Sequence, residues 1–210
     1  MTSYFRATGS LRAFWLLLIG LLASTAVGTT SAQAQSQAQS TTRTYTENPR
    51  VVIETSVGSI EIELLPKFAP KHVDNFLNLV DKAFYDGLVF HRVIPGFMIQ
   101  TGGFDADINY REHDEISVPN ESFNGLKNRR GSVAAARTDD PDSADTQFFI
   151  NVVDNPSLDA KRGEPGYTVF GRVIDGFDAV EEIELTDTHL RNGMAGVPEQ
   201  AITILSVRKR

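Results

Sequence analysis

The chain has 210 residues, 41% of them hydrophobic and 22% charged, enough for one domain with its own core plus extensions. A formal net charge of -7 argues against nucleic acid as a partner, since that affinity comes largely from clustered Lys and Arg. No cysteine is present, which excludes disulfides, thiol catalysis and cysteine-held metals.

Arg6 and Arg12 precede an apolar run from Ala13 to Ala23, and small residues follow as far as Ala32-Gln33-Ala34. This is the layout of a secretory signal, so residues 1–34 are read as a signal peptide with maturation near Gln35; Ala26 after Ser24 is a competing cleavage point. The apolar run is about half of the ~20 residues needed to cross a bilayer, so no stable membrane insertion is expected after cleavage. With no cysteine to carry a lipid, the expected destination is the bacterial periplasm. Loss of Arg6 and Arg12 moves the formal charge to about -9, from 18 basic and 27 acidic residues.

Residues 35–48 are mostly Ser, Gln and Thr, too poor in large apolar groups to offset the entropy of ordering, and are read as a flexible leader. The folded domain is expected over 49–210. Val51-Val52-Ile53 opens it, and beyond Gly58 the residues Ile60, Ile62 and Leu64 alternate with Glu61 and Glu63, the period of a half-buried strand. These two segments suggest a hairpin. Pro70 suits a first helical position, and Val73, Phe76, Leu77 and Val80 then fall on one helical face, which predicts a helix ending near Ala83.

Short β-rich segments follow at Leu88 to Ile94, Phe97 to Gln100, Ser132 to Ala136, Phe148 to Val153 and Thr168 to Val173, separated by Gly, Pro, Asn and Asp. Phe177, Val180 and Ile183 mark a second, shorter helix, and Ile202, Ile204 and Leu205 a last strand; the stretch from Leu185 to Gln200 reads as a loop. The fold class predicted is mainly β, a closed antiparallel barrel capped by two helices.

Two strings concentrate the chemistry. Phe90-His91-Arg92-Val93-Ile94-Pro95-Gly96-Phe97-Met98-Ile99-Gln100 sets one arginine and one glutamine among large apolar groups, and Gln147-Phe148-Phe149-Ile150-Asn151 adds a second amide beside more aromatics. Such a set suits an uncharged, partly apolar ligand. Both strings resemble those of the cyclophilins, a family of prolyl isomerases, and the reaction this resemblance implies, rotation about an X-Pro bond, calls for a fixed donor: the obstacle is amide resonance, about 18–20 kcal/mol. The twisted amide localises a lone pair on nitrogen that a donor stabilises preferentially. Arg92, always charged and rigidly forked, is the candidate catalytic donor, with Gln100 orienting it. Phe97, Met98, Phe149 and Leu158 would seat the proline ring, and Gln147 would meet the substrate backbone.

Together the two strings resemble the active-site core of the cyclophilins, a family of peptidyl-prolyl cis/trans isomerases, and the resemblance runs from about Val51 to Val207 with supporting matches at Asn75-Phe76, Asn120-Glu121 and Gly171-Arg172-Val173. It implies an eight-stranded antiparallel barrel with a helix closing each end, no cofactor, and proline-containing extended or unfolded polypeptides as partners. By the same resemblance Ala136, Arg137 and Thr138 match the segment that pairs with an extended peptide, and His91 and Tyr167 match groove positions. Ala136-Arg137-Thr138, the acidic loop after it and Gly166-Tyr167 are similar to the exported bacterial branch. Where drug-sensitive members carry tryptophan before the pocket leucine this chain has Ser157, so weak binding of cyclosporin-type peptides is expected.

The remaining signals are weaker. His72, His91, His113 and His189 lack paired spacing, which argues against zinc, and Asp139, Asp140, Asp142 and Asp145 do not follow the EF-hand order. Lys127-Asn128-Arg129-Arg130 reads as a solvated loop, and Gly102-Gly103 lacks the rest of a dinucleotide fingerprint. A monomer is expected.

Overall fold

The computed structural model describes residues 43–114 and 117–210. The expected hairpin is formed by β1 (Arg50–Thr55) and β2 (Gly58–Leu64), whose register sets Ile53 opposite Ile60 and Val51 opposite Ile62, all four fully buried. Glu61, on the other face of β2, is covered by Arg210 and lies 3.7 Å from Arg50. Helix α1 (Pro70–Asp81) has Ala69 at its N-cap, which offers no side-chain acceptor. Glu121 supplies one from a distant loop, taking the Lys71 and His72 amides at 3.2 and 3.1 Å. The helix closes on Ala83, held at φ +52°, while the Phe84 amide returns to the Leu79 carbonyl at 3.0 Å, a left-handed stop that glycine usually provides. Its apolar face enters the barrel, where Phe76 meets Phe148 edge-on at 5.3 Å and Phe170 at 5.5 Å.

Then come β3 (Arg92–Ile94), β4 (Met98–Thr101), β5 (Ser132–Ala135), β6 (Phe148–Asn151), β7 (Val169–Asp175), α2 (Phe177–Glu184), β8 (Thr188–Arg191), β9 (Met194–Pro198) and β10 (Ile204–Lys209). Eight strands make one antiparallel sheet in the order β10-β1-β2-β7-β5-β6-β4-β3. The expectation of a closed barrel needs correction, because edge strands β3 and β10 share no ladder. Only Arg92–Ile94 of the segment read as one strand pairs with β4; the residues before it change partner and bridge the seam. There the Gly87 and Phe90 amides donate to the carbonyls of Ile204 and Ile202 at 2.8 and 3.0 Å, and the Ile204 amide to that of Leu88 at 2.7 Å.

Residues 185–200 are not a loop. Asn192 and Gly193, at φ +52° and +79°, form a two-residue turn of the kind that matches strand twist, and β8 and β9 pair on either side of it. Gly196 lets β9 lie against β3: a Cβ there would fall 2.7 Å from the Val93 carbonyl oxygen. Val197 is buried with Val89 and Ile108. The stretch read as a signal peptide, and the expected leader up to residue 42, lie outside the described residues. The end of the leader does not hang free: Arg43 donates to Asn78 at 2.7 Å and pairs with Asp81 at 3.0 Å, and the Tyr45 hydroxyl donates to Asp74 at 2.6 Å, all on α1. No helix among the described residues is long and apolar enough to cross a membrane.

Candidate active site

Register places the candidate site on the outside of the barrel. β3 and β4 pair Arg92 with Gln100, β4 and β6 pair Gln100 with Phe149, β5 and β6 pair Ala134 with Phe149, and β5 and β7 pair Ala134 with Val169. Directly paired residues share a face, so one row of side chains crosses four ladders outward, while Val93, Ile99 and Ile150 fill the interior. Phe148 and Phe149, adjacent in sequence, therefore serve different cores. Met98, Ala134, Phe149 and Val169 make a second apolar cluster separate from the barrel interior, with Phe97, Leu126, Leu158 and Tyr167 packed on it.

A groove of about 280 Å³ lies over this cluster. Nine of the twelve residues named from sequence line it: Arg92, Gln100 and Phe149 from the row, Phe97 and Met98 from the β3–β4 turn and β4, Ala136 and Arg137 after β5, and Leu158 and Tyr167 from the loops between β6 and β7. The Arg92 guanidinium donates to Gln100 Oε1 at 3.2 Å, and Gln100 Nε2 donates to Gln147 Oε1 at 3.1 Å, a chain of amides that fixes the direction of the charge. No ion pair among the described residues involves Arg92. Its charge is thus left uncompensated beside apolar walls. Opposite, Arg137 lies 4.6 Å over the Tyr167 ring and donates to the Thr138 and Pro165 carbonyls at 2.8 and 3.2 Å, and Tyr167 meets Phe149 edge-on at 5.7 Å.

Three named residues do not line the groove. Gln147 stands behind Gln100, its side chain crossing Gly103, where a Cβ would come within 2.8 Å of it. That close crossing accounts for a glycine at Gly103. Thr138 is exposed and turned into the acidic loop, its hydroxyl 2.7 Å from that of Ser143. His91 corrects the expectation of a groove position: only 2% exposed, it packs against Phe104, ring centroids 4.7 Å apart, with Nδ1 unpartnered. Burial, helped by the Arg92 charge, pushes its pKa down to about 4. Ser157 sits exposed on the turn Pro156–Leu158 and adds no aromatic wall. The acidic loop spends its carboxylates on backbone amides, Asp145 taking that of Thr146 at 2.5 Å, Asp140 that of Asp142 at 3.0 Å and Asp142 that of Asn120 in another loop at 2.7 Å.

Residues 50–209 match the family model described as cyclophilin type peptidyl-prolyl cis-trans isomerase/CLD. The chain belongs to that family. Among relatives of this cyclophilin-type chain, a peptidyl-prolyl cis-trans isomerase of Acinetobacter baylyi is 47% identical over 161 residues, 77% of this chain and 85% of the relative. Peptidyl-prolyl cis-trans isomerase B of Escherichia coli is 46% identical over 162 residues, 75% and 97% of the two chains. A crystal structure of a Cryptosporidium parvum cyclophilin type isomerase aligns with TM-score 0.65 at 27% identity, over 78% of this chain and 98% of that one. A second crystal structure of the parasite enzyme, in the presence of the dipeptide Ala-Pro, aligns with TM-score 0.62 at 28% identity, over 75% of this chain and 96% of that one.

Missed from sequence were Asn128, Asn151 and Asn155, buried beneath the groove. Asn151 stood inside a quoted motif, yet nothing in the string distinguishes a buried asparagine from a turn residue.

Proposed function

We propose that this cyclophilin accelerates cis/trans rotation about X-Pro bonds of extended or unfolded polypeptides, with Arg92 as the catalytic donor. The observation that carries the reading is the Arg92 guanidinium, tied to Gln100 at 3.2 Å and without a carboxylate partner among the described residues, bordering a groove otherwise walled by Phe97, Met98, Phe149 and Leu158. A proline ring seated on Phe97 and Phe149 is held still, so rotation falls to the acyl group before it. As the amide twists, its nitrogen gains a lone pair, and a donor already aimed at that place favours the twisted form over the planar one. Ala136, Arg137 and Tyr167 flank the adjoining chain, consistent with a ligand of the Ala-Pro type present with the parasite relative. No cofactor takes part.

The setting proposed is the periplasm, reached through residues 1–34 as a cleaved signal peptide, where a monomer would assist folding after export without nucleic-acid partners. The charge pattern of Arg6, Arg12 and the run to Ala23 supports it.

Arg92→Ala should lower kcat/KM for an Ala-Pro tetrapeptide roughly 100-fold or more, the scale of losing a preorganised donor, read by protease-coupled or NMR exchange assays. Arg92→Lys should recover only part of it, because an ammonium lacks the planar fork that Gln100 orients. A full-rate Arg92→Ala enzyme would remove the mechanism. For export, a reporter active only outside the cytoplasm, fused after residue 34, should be active; its silence would reject the location.

A further inference from the structure

Beneath the groove three amide side chains are buried among apolar neighbours: Asn128, Asn151 and Asn155 are 2%, 0% and 7% exposed. Burying an amide is unfavourable unless its donors and acceptors find partners. Here they find one another and the walls of the groove. Asn155 Nδ2 donates to the Phe97 carbonyl at 2.8 Å and to Asn151 Oδ1 at 2.7 Å. Asn151 Nδ2 donates to Ser132 Oγ at 2.9 Å and Asn128 Oδ1 at 3.2 Å, and the Asn155 amide closes the ring on the Asn128 carbonyl at 2.7 Å.

The ring reaches three turns that carry groove side chains. Phe97 is held by its carbonyl, which also accepts the Val152 amide at 3.1 Å. The Leu158 amide donates to the Asn155 carbonyl at 3.0 Å, while Asp159 takes the Asn128 amide at 2.8 Å. Tyr167 is held by its amide on the Leu158 carbonyl at 2.9 Å and by its carbonyl, 3.4 Å from Asn128 Nδ2. None of these three residues lies in a strand; Phe97 has sheet-edge bonds besides, its amide on the Ile94 carbonyl at 3.0 Å, but Leu158 and Tyr167 have none. Apolar side chains would fill the same space without demanding partners; satisfied amides instead select one arrangement of the turns around them.

We propose that Asn155, acting with Asn128 and Asn151, is a positioning residue for isomerisation: through the Phe97 carbonyl and the Leu158 turn it fixes the proline seat relative to Arg92. The proposal rests on the isomerase reading of the groove. It also explains Asn128, the one buried residue of the exposed run Lys127-Asn128-Arg129-Arg130.

The test compares Asn155→Ala and Asn155→Ser with Val207→Ala, which opens a void in the barrel core far along the chain from the groove. Serine keeps a polar residue at the start of the Pro156–Leu158 turn but is too short to reach the Phe97 carbonyl. Each full chain is assayed on the Ala-Pro tetrapeptide at 25 °C, with Tm measured alongside. Both Asn155 variants should lose roughly 10- to 100-fold in kcat, as expected when reacting groups are misplaced by about an ångström. Val207→Ala, at equal or larger loss of Tm, should turn over at the wild-type rate. If Asn155→Ala does not fold, Asn155→Ser decides. Wild-type kcat in the folded Asn155 variants, or an equal fall in Val207→Ala, overturns the proposal. An inactive wild-type chain would instead count against the isomerase reading itself.

Discussion

At the scale of single residues, His91 and Arg92 show how neighbours in an extended segment part company. Arg92 borders the groove, while His91 beside it is buried against Phe104. Burial holds His91 neutral with a pKa near 4, against 6.5 ordinarily. Between those values the unfolded chain binds a proton that the folded chain refuses, so stability falls as pH falls. With those two pKa values the loss from pH 7 to pH 5 is about 2 kcal/mol. Urea unfolding at both pH values should show that loss in the wild type and not in His91→Gln. Carboxylates held low by cations, such as Asp86 beside Arg208, act at lower pH in both chains and cancel. Equal pH losses in the two chains would sink the assignment. Arg92, Phe97, Met98, Gln100 and Phe149 were legible because two long strings carry them, whereas His91 and Thr138 were assigned to the peptide site by resemblance, which does not say which way each side chain turns.

At the scale of elements, periodicity located what packs on one side. Ile60, Ile62 and Leu64 marked β2, and Val73, Phe76, Leu77 and Val80 marked α1, because burial on one face imposes the period. The β8–β9 hairpin was not found, although Asn192-Gly193 is a turn signal, because its flanks do not alternate: Leu190 is exposed and Gly196 has no side chain. What fixes β9 is its approach to β3, a tertiary contact. Gly193 and Gly196 separate the two effects. Both have φ near +80°, but a Cβ on Gly193 meets nothing within 4 Å, whereas one on Gly196 strikes the Val93 carbonyl. Gly193→Ala should therefore destabilise by about 1–2 kcal/mol, the backbone conformation alone, with isomerase activity kept. Gly196→Ala should add the overlap to a comparable conformational loss and shift β3, lowering kcat/KM several-fold through Arg92. Indistinguishable activity in the two variants would show that β9 does not brace the catalytic strand.

At the scale of the whole molecule, sequence patterning indicated a barrel and two caps but not how the curled sheet meets itself. The sheet edges are bridged, without a ladder, by Gly87–Phe90 against Ile202–Ile204, amide to carbonyl, in segments with no alternation to read. The same applies to the leader. A composition of Ser, Gln and Thr argued for flexibility through residue 48, yet two side chains late in that stretch, Arg43 and Tyr45, reach three acceptors on α1. The Tyr45 ring also packs against the barrel core, and its burial, with Asp74 beside it, pushes the phenol up to about 12. The Tyr45–Asp74 bond is charge-assisted and half-buried, worth about 1.5–3 kcal/mol, while the exposed Arg43 pair is worth at most about 1 kcal/mol. A chain of residues 49–210 should thus unfold about 2–3 kcal/mol more easily than one of residues 43–210, by urea titration, and Tyr45→Phe should account for most of the difference. Its kcat/KM should equal that of the longer chain, because Arg43 and Tyr45 attach to α1 and none of the nine groove residues does. A shorter chain as stable as the longer one would mean that the leader only rests on the helix; a shorter chain with lowered kcat/KM would mean that the order imposed on α1 extends through Phe76 and Phe148 to Phe149.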